Sequence, residues 1–131
     1  MTFVDSSAWF ALYVVGDSQH AAANRWLASN QDPLMTTDYI IDETLTLLRS
    51  RGQRSVAIQF GWDAFAELFA DCYFVNRADI ADAWQVFHKF QDKNWSFTDC
   101  TSKVVIDQLK IQSAFTFDHH FRQFGTVAVV P

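Results

Sequence analysis

The chain is poor in the residues that staple small extracellular folds. Of its 131 residues only two are cysteines, Cys72 and Cys100. They stand alone, without a Cys-x-x-Cys or zinc-type spacing, so neither a disulfide framework nor a zinc finger is encoded. Reduced thiols in a cytoplasmic protein are expected. Glycine and proline are scarce as well, at four and two residues. Linkers, low-complexity tracts and internal repeats are absent accordingly. No apolar run approaches the ~20 residues that cross a bilayer. No basic segment leads into an apolar stretch and cleavage site. Neither membrane insertion nor export is therefore expected. Positive charge is also short, with ten Lys and Arg against fifteen Asp and Glu, a formal net charge of -5. That balance excludes broad electrostatic clamping of nucleic acid, which needs basic residues along the phosphates. It does not exclude a nucleic-acid enzyme whose own acids are neutralised by a metal.

Apolar and aromatic residues are abundant. Half of the chain is hydrophobic, with 13 Phe and 5 Trp, enough for a core without metal or disulfide support and far from a disordered composition. The length predicts one domain over 1–131. Thr2-Phe3-Val4 reads as a short strand, Asp5-Ser6-Ser7 offers helix caps, and Ala8 to Leu12 reads as helix. A second helix is expected over 18–29, and Asn30-Gln31-Asp32-Pro33 is a turn cluster. Leu34-Met35-Thr36 is a second strand. Thr36-Thr37-Asp38 caps a helix whose apolar face carries Ile40, Ile41, Thr44, Leu45, Leu47 and Leu48. That helix ends at Arg49-Ser50-Arg51-Gly52. A wide apolar helix is predicted over 53–70, broad enough to suggest a partner surface. Cys72 to Val75 is a third strand, 78–90 a helix, Trp95 to Asp99 a connection ending in a cap, and a helix follows through Leu109. A fourth strand over 113–117, a helical turn broken by Gly125 and a final strand over 126–130 complete the chain. Strands alternate with helices throughout, which predicts an α/β sandwich with a mainly parallel central sheet between helices.

Four acids occupy comparable places. Asp5 and Asp118 end strands, Asp99 starts a helix, and one of the neighbours Asp42 and Glu43 lies on the helix after Thr37. At ~100° per residue Glu43 falls at the edge of the apolar stripe and Asp42 nearly opposite it. Glu43 is thus the acid that faces the body of the protein. Alone, each of the four could be a cap or a paired surface acid. Gathered in one cleft, carboxylates raise one another's pKa, and a hard divalent cation relieves the repulsion. Oxygen-only ligands favour magnesium or manganese over zinc. His119 and His120 follow Asp118, but neighbours on a helical turn point ~100° apart, and neither is expected as a ligand. His88 is expected at the edge of the core and His20 at the surface. Trp9, Trp26 and Trp95 are expected to pack in the core rather than stack on bases.

The segments Phe3-Val4-Asp5-Ser6-Ser7-Ala8-Trp9, Thr36 to Thr44, Phe97-Thr98-Asp99-Cys100 and Phe115-Thr116-Phe117-Asp118 resemble the four acidic motifs of PIN-domain ribonucleases. Among these the chain is most similar to the short VapC-type toxins of toxin–antitoxin systems, from its first strand to its last. The resemblance implies Asp5, Glu43, Asp99 and Asp118 as magnesium-binding catalytic acids, with Mn2+ as a possible substitute, and Ser7 and Thr98 as supporting hydroxyls. It implies hydrolysis of RNA phosphodiester bonds, a cognate small antitoxin and a homodimer. Should two ions bind, Asp5 is the expected bridge. Arg49, Arg51 and Lys103 are candidates for the RNA backbone. Two departures are Cys100, where a small alanine is common in the family, and the bulky aromatic run over 60–74. The rival reading is a protein-interaction module whose acids are structural. A phosphatase-like use of Asp5 as nucleophile would call for a second acid two residues on, where Ser7 stands.

Overall fold

A computed structural model describes all residues, 1–131. The elements follow in the order β1 (Thr2–Val4), α1 (Ser6–Tyr13), α2 (His20–Ser29), β2 (Leu34–Thr37), α3 (Asp38–Ser50), α4 (Arg54–Phe65), β3 (Asp71–Tyr73), α5 (Arg77–Lys89), α6 (Phe97–Gln108), β4 (Ser113–Phe115), a 3-10 helix (His119–Phe124) and β5 (Ala128–Val130). The strands form one sheet in the order β3-β2-β1-β4-β5, and every neighbouring pair is parallel. The expected α/β fold with a mainly parallel sheet is thus present, and here the sheet is wholly parallel.

Parallel strands covered by helices on both faces read as continuous apolar runs rather than as alternations. Thr2, Phe3 and Val4 are accordingly all buried. Chain order reverses across β1, with β2 on one side and β4 on the other, so the crevice beyond its C-terminal end is the expected ligand position of an open parallel sheet. Register makes that crevice precise in residue terms. Val4 lies opposite Phe115, and the Asp5 N–H donates to the Phe115 carbonyl at 3.0 Å. Asp5 and Thr116 therefore leave the sheet side by side.

The core holds Phe3, Trp9, Phe60, Phe115 and Phe121 among 25 buried apolar residues. Trp9 and Trp95 are buried as expected, and Trp26 is half-buried against the core. The Trp9 Nε1–H donates to Thr36 Oγ1, Trp26 lies 4.2 Å from Phe115 between ring centroids, and Trp95 meets Phe124 edge-on.

Several boundaries differ from the sequence expectation. Helix α4 ends at Phe65 because Glu67 turns left-handed, at φ 53°. The Leu68 N–H then donates back to the Asp63 carbonyl, the long-range bond of a Schellman stop. No glycine marks this end. The Glu67 side chain instead accepts from the Cys72 N–H at 2.7 Å, which offsets the cost of the left-handed residue. Strand β3 stops at Tyr73, since Val75 N–H turns to Asp38 and Asn76 caps α5 in a reciprocal box with Asp79. Helix α2 starts at His20, because the Asp17 carboxylate takes the Gln19 N–H in a turn. Strand β5 starts only at Ala128, and Thr126 reaches sideways to Asp107. His88 is exposed rather than at the core edge, and His20 is half-buried, with Nδ1 on the Ala11 carbonyl.

Candidate active site

Asp5 is the N-cap of α1 and is only 2% exposed. A cap carboxylate commonly accepts a backbone N–H. Here the Ser7 N–H is distant at 3.5 Å, and Asp5 Oδ2 is held mainly by two hydroxyls, Ser7 Oγ–H and Thr116 Oγ1–H, each at 2.9 Å. Those hydroxyls are themselves anchored to the loop after β4. Ser7 Oγ accepts from the Phe117 N–H and Thr116 Oγ1 from the Asp118 N–H, both at 2.9 Å. Two side chains thus lock the end of β1 to the end of β4.

Glu43 lies on α3 and is half-buried, while Asp42 is exposed, as the helical phase predicts. The Ser6 hydroxyl donates to Glu43 Oε1 at 2.7 Å. Its single proton is then spent, and its 3.5 Å approach to Asp5 Oδ1 is proximity rather than a second strong bond.

Asp99 is not the cap of α6. Ser96 is the cap, and Asp99, as the third helical residue, closes a reciprocal capping box with it. The Ser96 N–H donates to Asp99 Oδ2 at 3.0 Å and the Asp99 N–H returns to Ser96 Oγ at 3.0 Å. His120 Nδ1 also sits 3.0 Å from Asp99 Oδ2 and 3.4 Å from Asp118 Oδ1. Asp118 caps the 3-10 helix through the His120 N–H. The two histidines differ in exposure, the His119 side chain at 77% and that of His120 at only 19%, yet their rings stay together at 4.4 Å between centroids rather than pointing apart as neighbours on a helical turn would. His120 therefore belongs to the site, although the sequence reading gave it no place there. Ligand-type atoms of Asp118, His119 and His120 lie within 4.8 Å of one another.

The electrostatics follow from burial and crowding. Burial, reinforced by the charge of Glu43, pushes Asp5 up to about 6, against the pull of Thr116, Ser6 and Ser7. Burial also raises Glu43, and the charges of Asp99 and Asp118 add to the effect while the Ser6 and Thr98 hydroxyls oppose it. Asp99 is raised by burial and by Asp5 and Asp118, while its Ser96 and His120 hydrogen bonds favour the ionised form. The four acids thus share one electrostatic cluster. No lysine or arginine comes within ion-pairing distance of any of them; histidines alone do. Crowded hard-oxygen donors without a basic counter-charge fit a hard divalent cation.

The three basic residues separate. Lys103 is engaged by Asp107 at 2.7 Å and its ammonium lies over Phe124. Arg49, exposed on α3, lines a cleft with Leu45, Thr46, Ala57 and Ile58 that holds none of the four acids. Arg51 alone shares a cavity with a residue of the acid cluster's support, Ser7. The sequence reading missed Ser6, Thr116 and His120 as partners of the acids. Only Ser96 had a legible signal, its Ser-x-x-Asp spacing.

A family model for the PIN domain matches residues 2–127. The chain belongs to the PIN-domain family, whose nucleases generally use a divalent metal. Within it the chain is a VapC-type endoribonuclease, the toxin class of toxin–antitoxin pairs. It is 35% identical over 134 residues to the 23S rRNA-specific endonuclease VapC20 of Mycobacterium tuberculosis strain H37Rv, covering 100% of this chain and 99% of the relative. Ribonuclease VapC26 of the same strain is 25% identical over 98% of each chain. The crystal structure of M. tuberculosis VapC20, described as a Sarcin-Ricin loop cleaving toxin, superposes with a TM-score of 0.93 at 31% identity over the whole of both chains. The FitAB complex bound to an IR36 DNA fragment shares the fold, with a TM-score of 0.73 at 14% identity over 99% of this chain and 94% of that one.

Proposed function

We propose that residues 1–131 act as one magnesium-dependent ribonuclease unit, with Asp5, Glu43, Asp99 and Asp118 as its metal-holding and catalytic acids and Mn2+ as a substitute ion. The observation that carries this reading is the state of Asp5. It is buried at the switch point of the sheet, crowded by Glu43 and raised to about 6, with no basic residue to neutralise it. A fold tolerates such an acid readily when a cation completes the site. The bound ion would supply a water of lowered pKa and offset charge on the phosphate. The chain's own contribution is orientation. Ser7 and Thr116 hold Asp5 from one side, Ser6 holds Glu43, and His120 with Ser96 holds Asp99. Thr98 favours the ionised form of Glu43. Asp118, with a side chain 31% exposed, stands at the mouth. Outer partners of this kind tune ligand orientation and basicity.

The similarity to VapC20 supports a structured loop of ribosomal RNA as substrate, and the family supports a cognate antitoxin, a homodimer and a cytoplasmic location. No helix is long and apolar enough to cross a membrane. A specific observation also favours the partner-binding reading as a second property of the chain. Ile58, Trp62, Phe65, Leu68 and Phe69, on and just after α4, are each more than half exposed, a larger apolar patch than isolated surface residues make. The test is incubation of total cellular RNA with magnesium and the wild-type protein beside Asp5→Asn, with ends mapped. A discrete cut that the variant and a chelator both abolish is expected. Equal cutting by wild type and variant would remove the assignment. Binding of a partner that survives chelation, without any cutting, would leave only the interaction module.

A further inference from the structure

Beside the acids, a cavity of about 200 Å³ is lined by Ser7, Phe10, Asp17, Gln19, Leu47, Arg51 and Phe117. It adjoins the site covalently and through hydrogen bonds. Ser7 Oγ donates to Asp5 and accepts from the Phe117 N–H, so one wall of the cavity is one hydroxyl from the central carboxylate. Glu43, Leu47 and Arg51 recur at intervals of four along α3 and its cap, one above another on the same helix face. The stripe that begins at the acids therefore reaches Arg51, whose backbone lies about 12 Å from that of Glu43 along the axis.

The lining chemistry is selective. Phe10 and Phe117 supply half-buried aromatic surface, Leu47 an aliphatic flank, and Arg51 an exposed guanidinium with no carboxylate partner. Asp17 uses one acceptor position on the Gln19 N–H, of about four that a carboxylate offers. Single-stranded RNA is recognised by splayed bases that stack on aromatic side chains and hydrogen-bond at their edges. We infer that this cavity seats one unpaired nucleobase of the RNA next to the scissile phosphate, with Asp17 reading N–H donors on its edge and Arg51 on a neighbouring phosphate. Guanine presents two such donors side by side and ranks first. The inference rests on the ribonuclease reading above.

The experiment uses the full chain and an RNA hairpin spanning the mapped cut site. Steady-state cleavage is measured for wild type, Phe10→Leu, Asp17→Asn and Arg51→Gln, each first shown to keep its thermal midpoint. Phe10→Leu keeps bulk but loses the stacking face, and a KM rise of about tenfold with kcat within about twofold is expected. Arg51→Gln should weaken binding to all sequences alike and lower the salt slope of log affinity by about 0.7–1, one phosphate contact. Asp17→Asn should flatten the penalty for replacing one base beside the cut by an analogue lacking an edge donor, such as inosine for guanine. A wild type that cuts nothing removes the ribonuclease reading and this inference together. A wild type that cuts, while the three variants match it in KM, salt slope and base preference, overturns this inference alone. So does a salt-slope change in Arg51→Gln with the other two silent, or a loss confined to antitoxin binding.

Discussion

If the acids are held ionised against burial and one another, removing one charge should stabilise the metal-free protein. Asp5 sits at about 6 in the fold against an ordinary 3.8. At ~1.4 kcal/mol per pH unit, its ionised form costs the native state about 3 kcal/mol at neutral pH, as an upper figure. The sign follows from proton counting. Between pH 3.8 and about 6 the folded state binds the proton and the unfolded state does not. Stability from this group is therefore greatest at the acid end, falls as pH rises through that window and stays low above it. Asparagine can direct its carbonyl to Ser7 and Thr116 and its NH₂ toward Glu43, but a neutral carbonyl accepts less strongly than a carboxylate. A net gain of about 1–2 kcal/mol is expected, which raises the melting midpoint of a chain this size by about 3–8 °C. Thermal unfolding in chelator at pH 7.5 and 5.5 reads it. Asp5→Asn should melt above wild type at pH 7.5, and the gap should narrow at pH 5.5. Added magnesium should raise the wild-type midpoint by mass action, about 2.7 kcal/mol at a hundredfold excess over Kd, and leave the variant nearly unmoved. A variant that melts below wild type in chelator at pH 7.5 would refute the crowding argument.

Two further outcomes test the support of the acids and the outer surface. Thr116→Val keeps shape but removes a buried donor to Asp5 and leaves the Asp118 N–H without its acceptor; a loss of about 1–3 kcal/mol is expected, together with an alkaline displacement of the acid limb of the cleavage profile, read by pH-dependent rates. Trp62→Gln alters a side chain 74% exposed, so the midpoint should stay within about 0.5 kcal/mol and cleavage should be unchanged, whereas association with the antitoxin or a second copy should weaken, read by light scattering on a sizing column.

What the sequence makes legible is local. A strand running into an acid and two serines announces both β1 and the cap, and helical phase alone separates Glu43 from Asp42. At Asp99 the sequence suggests that the acid itself starts the helix, whereas Ser96 three residues earlier is the cap and Asp99 closes its box. The end of α4 had no such mark, because Glu67 turns left-handed without a glycine. The resemblance names Ser7 and passes over Ser6, but the fold uses both, Ser6 on Glu43 and Ser7 on Asp5.

Thr116 shows why the rest stays hidden. In sequence it is a β-branched residue at the end of an apolar strand, and its default reading is packing. Its hydroxyl matters only because β1 and β4, far apart in the chain, pair with Val4 level with Phe115. That register brings Thr116 to Asp5 across a separation of 111 residues. The same register delivers Asp118 and turns His120 inward through the 3-10 helix. The acids can thus be nominated one by one from local grammar, but the hydroxyls and the imidazole that aim them exist only as a consequence of strand order. The support of the site is therefore a property of the sheet, and a change that shifts β4 against β1 by one residue would dismantle it while every acid remained in the sequence.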